Sequence, residues 1–202
     1  RKRTLFPYTT LFRSLENALP ARLAVSIARQ IATGLAAAHS VGVIHADVTA
    51  SNIFVSDDGQ AKLVDFGLAL LRDDPRWRDG EVATDYVFGT PSYIAPEQIR
   101  GNRATERSDQ YSLGVVLFEM LTGGPPFVAD STRDLCLLHL QGPVPEVVSP
   151  HGAVPRAVRD VVSRCLAKSP ANRYGTTREL VEALTAAEQA LAATGWERWL
   201  TP

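Results

Sequence analysis

The 202-residue chain carries two cysteines, one methionine and a formal net charge of −1. Each scarcity excludes something. Cys136 and Cys165 stand apart, with no Cys-x-x-Cys pair and no Cys/His ligand spacing, so neither a disulfide framework nor a zinc site is expected. That usage suits a reducing, cytoplasmic setting. A charge this close to zero exerts no bulk pull toward nucleic acid or an anionic membrane surface. No apolar run approaches the roughly 20 residues that span a bilayer. What is abundant is hydrophobic residues, 45% of the chain, enough at this length for one packed domain or a large part of one.

Hydrophobic periodicity predicts an α+β chain that is mostly helical. Leu23, Ile27, Ile31 and Leu35 recur every four residues between Pro20 and Ser40, and Gly42 ends that helix. Ile53–Val55 and Ala61–Val64 have the length and composition of two short strands, joined by a turn at Asp58–Gly59. Residues 72–88 are polar and aperiodic, the pattern of a long functional loop. Ser108–Thr122 is apolar nearly all round, which predicts a buried central helix stopped by Gly123–Gly124–Pro125–Pro126. Further helices are expected at Thr132–Leu140, after Pro155 with Val158, Val161, Val162, Cys165 and Leu166 on one face, and after Thr176. There Thr176 and Glu179 have capping-box spacing, and Leu180, Leu184 and Leu191 form a stripe.

The chemistry is concentrated in HADVTASN, His45 to Asn52, and in Asp65–Phe66–Gly67. An Asp five residues before an Asn, a short hairpin, and then Asp-Phe-Gly is the spacing of a phosphoryl-transfer site. Asp47 can orient a hydroxyl or accept its proton. Asn52 and Asp65 offer the hard oxygens that magnesium prefers. Ala95–Pro96–Glu97 follows thirty residues beyond Asp65. From about Leu19 to Ala192 the sequence resembles the large C-terminal lobe of a bacterial-type serine/threonine protein kinase. That resemblance implies ATP and Mg2+ as cofactors and proteins bearing Ser or Thr as substrates. It makes Thr90, Ser92 and Tyr93 substrate-contacting residues and Phe54 the apolar floor under adenine, backed by Val116 and Met120. It also implies that His45 and Phe66 stack in the spine between lobes, that Gly67 completes the metal loop, that Glu97 pairs with Arg173, and that Asp109 anchors the loop containing Asp47. His39, His139 and His151 have no partner visible in sequence.

Two positions depart from the family pattern. Ala46 stands where the family usually has an Arg that meets a phosphate on the activation segment, so phosphorylation near Thr84 lacks that charge partner. Thr49 stands where a Lys is common; as a catalytic residue it would bring a hydroxyl donor without charge, and a slower enzyme is expected. The alternative function is a pseudokinase, a binding or scaffold module. No Gly-rich phosphate loop or Val-Ala-Ile-Lys-type lysine precedes the lobe, so the isolated chain is expected to bind MgATP poorly and transfer phosphate negligibly. Residues 4–14 resemble a translated sequencing adapter. The expected organisation is therefore a non-native segment at 1–14, the partial kinase domain at 15–194, and the start of a linker at 195–202.

Overall fold

The computed structural model describes residues 8–10, 18–66, 70–71 and 90–193. Its long elements follow the predicted periods. Helix α1 is Ala21–Ser40; it buries Ile27, Ile31 and Leu35 with the alanines between them. Leu23, expected on that face, is 39% exposed. A four-residue repeat gains about 40° per step on a 3.6-residue helix, so its first member has rotated off the stripe that its last member occupies.

Strand β1 is Tyr8–Thr10, β2 Val43–Ile44, β3 Ile53–Ser56, β4 Ala61–Leu63 and β5 Leu70–Leu71. One sheet has the order β1-β3-β4 and the other pairs β2 with β5, all antiparallel. The β3–β4 hairpin turns at Gly59, whose φ of +81° suits the residue without a Cβ. Gln30 on α1 holds this turn from below. Its amide donates to the Gly59 carbonyl at 3.0 Å and accepts from the Ala61 N–H at 3.0 Å. Strand β1 lies in the segment that showed no strand period. An open strand edge offers backbone hydrogen bonds to any sequence, so pattern alone gives no warning of such pairing.

Helix α2 is Pro96–Ile99, α3 Glu106–Thr122, α4 Thr132–Gln141, α5 Arg156–Cys165 and α6 Thr177–Ala193. The centre is α3, buried on every side from Ser108 to Leu121. It starts on a capping pair, with the Thr105 hydroxyl accepting from Arg107 N–H and the Ser108 hydroxyl accepting from Thr105 N–H. It ends at Gly123 in the left-handed region, φ +85°. Helices α1 and α5 pack against it, and α6 lies along α1. Gly114 is the point of closest approach to α5, because a Cβ there would sit 2.5 Å from the Cβ of Cys165. Burial pushes the Cys165 thiol up to about 12, so it is packing material rather than a nucleophile. At α6 the Thr176 hydroxyl accepts from Glu179 N–H as expected, but the Glu179 carboxylate reaches Gly175 N–H. No described helix is long and apolar enough to cross a membrane.

Candidate functional site

Two backbone segments meet beside the top of α3: the loop from His45 to Asn52 and the turn around Pro91–Tyr93. The first is held by Asp109, which is fully buried in the first turn of α3. Its carboxylate accepts from the backbone N–H of His45 at 2.9 Å and of Ala46 at 2.8 Å. This fixes the peptide that precedes Asp47. Ala46 has φ +65°, a left-handed conformation that costs a residue with a Cβ about 1–2 kcal/mol. The two Asp109 bonds help to hold it there.

His45 uses both ring nitrogens on backbone. Nδ1 accepts from Asp47 N–H at 3.3 Å, and Nε2 donates to the Val64 carbonyl at 3.2 Å. Its ring lies 4.5 Å from that of Phe66. A histidine so occupied orients neighbours and has no nitrogen left to act as a base.

Asn52 and Asp65 stand at the outer ends of the β3–β4 hairpin. Val64 N–H donates to the Asn52 carbonyl at 2.9 Å, extending the ladder to the residue before Asp65. The Asn52 side-chain amide donates to the Asp47 carbonyl at 2.9 Å and to Asp47 Oδ2 at 3.2 Å. With the nitrogen side committed to Asp47, the planar amide turns Oδ1 the other way, where it can serve as a ligand. Asp65 is exposed and is the second left-handed residue with a Cβ, φ +62°. A carboxylate and an amide oxygen form a donor set that suits magnesium held partly by phosphate and water. Among the described residues no group of three or more His, Cys, Asp or Glu side chains is arranged around a metal position.

Thr90 sits against Asp47: its N–H and its hydroxyl both donate to Asp47 Oδ1 at 3.3 Å. Between the two segments lies a cavity of about 10 Å³, room for about one water, lined by Asp47, Thr90, Tyr93 and Ser112 among others. Helix α3 pins the second segment from inside. Ser112 donates to the Tyr93 carbonyl at 2.7 Å, and the Tyr93 hydroxyl donates to Glu119 Oε2 at 2.7 Å. Burial, with the Glu119 charge beside it, drives the Tyr93 phenol above its ordinary range. Burial also raises the Glu119 carboxyl, against the lowering effect of the Tyr93 bond. Ser92 is half-buried in the same turn.

Below this turn Glu97 and Arg173 form a bidentate pair, with N–O distances of 2.7 and 2.9 Å. Arg173 is 2% exposed. Two further N–H groups donate to the carbonyls of Ala167 and Arg107, and its guanidinium lies 4.8 Å from the Tyr111 ring centroid. Burial alone would raise the Glu97 carboxyl. The Arg173 hydrogen bonds and charge, then the Ser108 hydroxyl, outweigh burial and hold it below the usual range.

Thr49 has a different occupation from the one its position suggests. It is 1% exposed, and its hydroxyl accepts from Asn52 N–H at 3.3 Å and shares a hydrogen bond with Ser51 at 2.8 Å. It caps the turn Ala50–Asn52 and so helps to place Asn52. Phe54 is half-buried in β3, opposite Lys62, while Val116 and Met120 are fully buried in α3. Gly67, Thr84 and the loop 72–88 lie outside the described residues.

The histidines without visible partners in sequence all have them. His39 bridges Asp109 and Thr177, and His151 Nε2 lies 2.6 Å from the Ala18 carbonyl. His139 is buried with Nδ1 2.9 Å from the Tyr111 hydroxyl. The sequence did hold one usable signal for what was missed. Ser108, Ser112 and Glu119 are polar positions on a helix buried all round, and buried polar groups need partners.

Comparison with known proteins gives one family. The protein kinase domain family matches residues 4–185. Serine/threonine-protein kinase PknD of Mycobacterium tuberculosis is 44% identical over 180 residues, covering 87% of this chain and 26% of that protein. Probable serine/threonine-protein kinase PknB of Lactococcus lactis is 37% identical over 158 residues, 78% of this chain and 25% of that one. Serine/threonine-protein kinase PknL of M. tuberculosis is 37% identical over 174 residues, 86% and 43%. The chain thus spans between a quarter and a half of the length of these relatives.

Proposed function

The chain belongs to the protein kinase domain family, and from that premise we propose that residues 15–194 supply the phosphoryl-transfer loop of a serine/threonine protein kinase. The reaction is transfer of the ATP γ-phosphoryl group to a Ser or Thr hydroxyl of a protein. The observation that carries this reading is the joint hold on Asp47. Asn52 reaches it from the hairpin side and Thr90 from the Pro91–Tyr93 side, while Asp109 fixes the peptide before it. A single carboxylate is thereby presented between the position for metal and the segment for substrate.

In this mechanism Asp47 orients the incoming hydroxyl and takes its proton, a contribution of about 10²–10⁴ in rate for positioned acid–base groups. Asn52 Oδ1 and the Asp65 carboxylate hold magnesium, which when bound neutralises charge on the transferring phosphates. Thr90 and the Tyr93 turn place the acceptor peptide, and a Thr beside Asp47 favours Ser/Thr over Tyr acceptors. Phe54, half-buried in β3, would supply the apolar floor for adenine. Thr49 acts here by placing Asn52 rather than by contacting phosphate.

The test is transfer of labelled γ-phosphate from MgATP to a generic basic protein. Residues 15–194 would be joined to the N-terminal lobe of PknD, beside an Asp65→Ala control. Transfer that the control abolishes supports the reading. A folded chimera that binds MgATP yet transfers nothing favours the scaffold alternative, in which the same loops serve only to bind. The 202-residue chain alone is expected to show negligible transfer.

A further inference from the structure

Asp109 does not act alone. Its Oδ2, which accepts from His45 N–H, also lies 2.7 Å from Nε2 of His39, the second-last residue of α1. The other ring nitrogen, Nδ1, lies 2.9 Å from the hydroxyl of Thr177, the first residue of α6. That hydroxyl in turn accepts from the Gln110 side-chain amide at 3.4 Å. All four side chains are buried, none more than 5% exposed. Thr177 is free for this because capping of α6 falls to its neighbour Thr176.

One assignment of protons satisfies every contact in the chain of four side chains. In it Gln110 donates to the Thr177 oxygen, and the Thr177 hydroxyl hydrogen points to His39 Nδ1, which accepts it. The ring proton then sits on Nε2 and donates to Asp109. We propose that Thr177 and His39 are positioning residues for the Asp47 loop, forming a one-way hydrogen-bond relay from α6 through α1 to Asp109. The relay sets the tautomer of His39 and the orientation of the Asp109 carboxylate. That carboxylate must face two successive N–H groups to hold Ala46 in its left-handed conformation. The relay thus ties the C-terminal helix to the peptide before Asp47, with His39 and Thr177 138 positions apart in sequence. Its consequence for phosphoryl transfer rests on the function proposed above; its existence does not, and the test below reads no transfer.

The test uses the isotope-labelled 202-residue chain in solution. Imidazole nitrogen shifts are expected to show His39 protonated at Nε2, with a slowly exchanging ring proton, and Nδ1 as acceptor. Amide hydrogen exchange at Ala46 is then compared with that at Val116 in the core of α3. In Thr177→Val, protection at Ala46 is expected to fall about tenfold relative to Val116, the loss of one hydrogen bond's influence. Thr177→Ser, which keeps the hydroxyl, is expected to retain it. A His39 ring protonated at Nδ1 would overturn the relay even if the Val variant does not fold. So would equal protection at Ala46 in Thr177→Val and the parent chain, or a loss spread evenly over Ala46 and Val116, which marks a merely structural threonine.

Discussion

Ala46 combines two facts that point to its chemistry. Its backbone is held left-handed by Asp109, and its side chain has neither charge nor hydrogen-bond donor. The peptide geometry before Asp47 is thus set from inside the fold, with no demand on a phosphate outside it. Activity of a complete kinase with this loop is expected to change by no more than about twofold on phosphorylation of the segment containing Thr84. The check is transfer rate before and after phosphatase treatment, with Ala46→Arg beside it. A large gain on phosphorylation in the Ala46 enzyme would sink the idea. Thr49 illustrates the limit of motif reasoning at this scale. Its place two residues after Asp47 suggests a donor to phosphate, yet its hydroxyl is bound into the Ala50–Asn52 turn. Spacing along the chain gives a residue's address; which way a side chain turns depends on what the neighbouring backbone leaves unsatisfied.

Among the elements, those with a strong period were legible from sequence. The faces of α5 and α6, the all-round burial of α3 and the β3–β4 hairpin each follow from residue type and spacing. The turn Pro91–Tyr93 and the four-residue α2 did not stand out, because elements that short are set by tertiary partners rather than by period. The Glu97–Arg173 pair was visible only through family resemblance, since 76 residues separate its members. It ties α2 to the turn before α6, and Arg173→Met is expected to cost about 3–5 kcal/mol by leaving Glu97 charged and unpaired. Urea unfolding measures that cost. The double variant Arg173→Met, Glu97→Leu is expected to lose less than the sum of the two single changes. Gly114→Ala asks a different question of α3. Helix propensity favours Ala by about 1 kcal/mol. The 2.5 Å approach to the Cys165 Cβ opposes it, and overpacking costs about 1–3 kcal/mol. Net destabilisation is the expected result, read as a lower melting temperature. A rise would show that α3 and α5 can part at little cost.

At the scale of the whole molecule, acid should find the fold through its buried titratable groups, and their signs differ. His139 is packed against Tyr111 and Phe127, with Lys168 beside Phe127. Burial first, then the Lys168 charge, lowers its imidazole from the ordinary 6.5 to about 4. The unfolded chain therefore takes up a proton before the folded one. The stability His139 lends is complete above 6.5 and is lost as pH falls from there to about 4, by up to about 3 kcal/mol. Glu97, held below its ordinary 4.5, adds a second loss only at lower pH, as its depressed value is crossed. Glu119 works the other way. Its raised carboxyl favours the folded state below 4.5, and that contribution is lost as pH rises through the raised value, so it partly offsets His139 in the same window. The urea midpoint is accordingly expected to fall between pH 6.5 and 4, with a shallower fall in His139→Gln. Parallel profiles for the two proteins would remove His139 as the cause, and a ring titration of His139 in the folded chain near pH 6.5 would do so independently. Because His139 touches Tyr111, which lies beneath Arg173, this acid-sensitive point and the Glu97 pair share one wall of the core. Unfolding by acid should therefore begin on the α4 side of the molecule, leaving the contact between α1 and α6 until last.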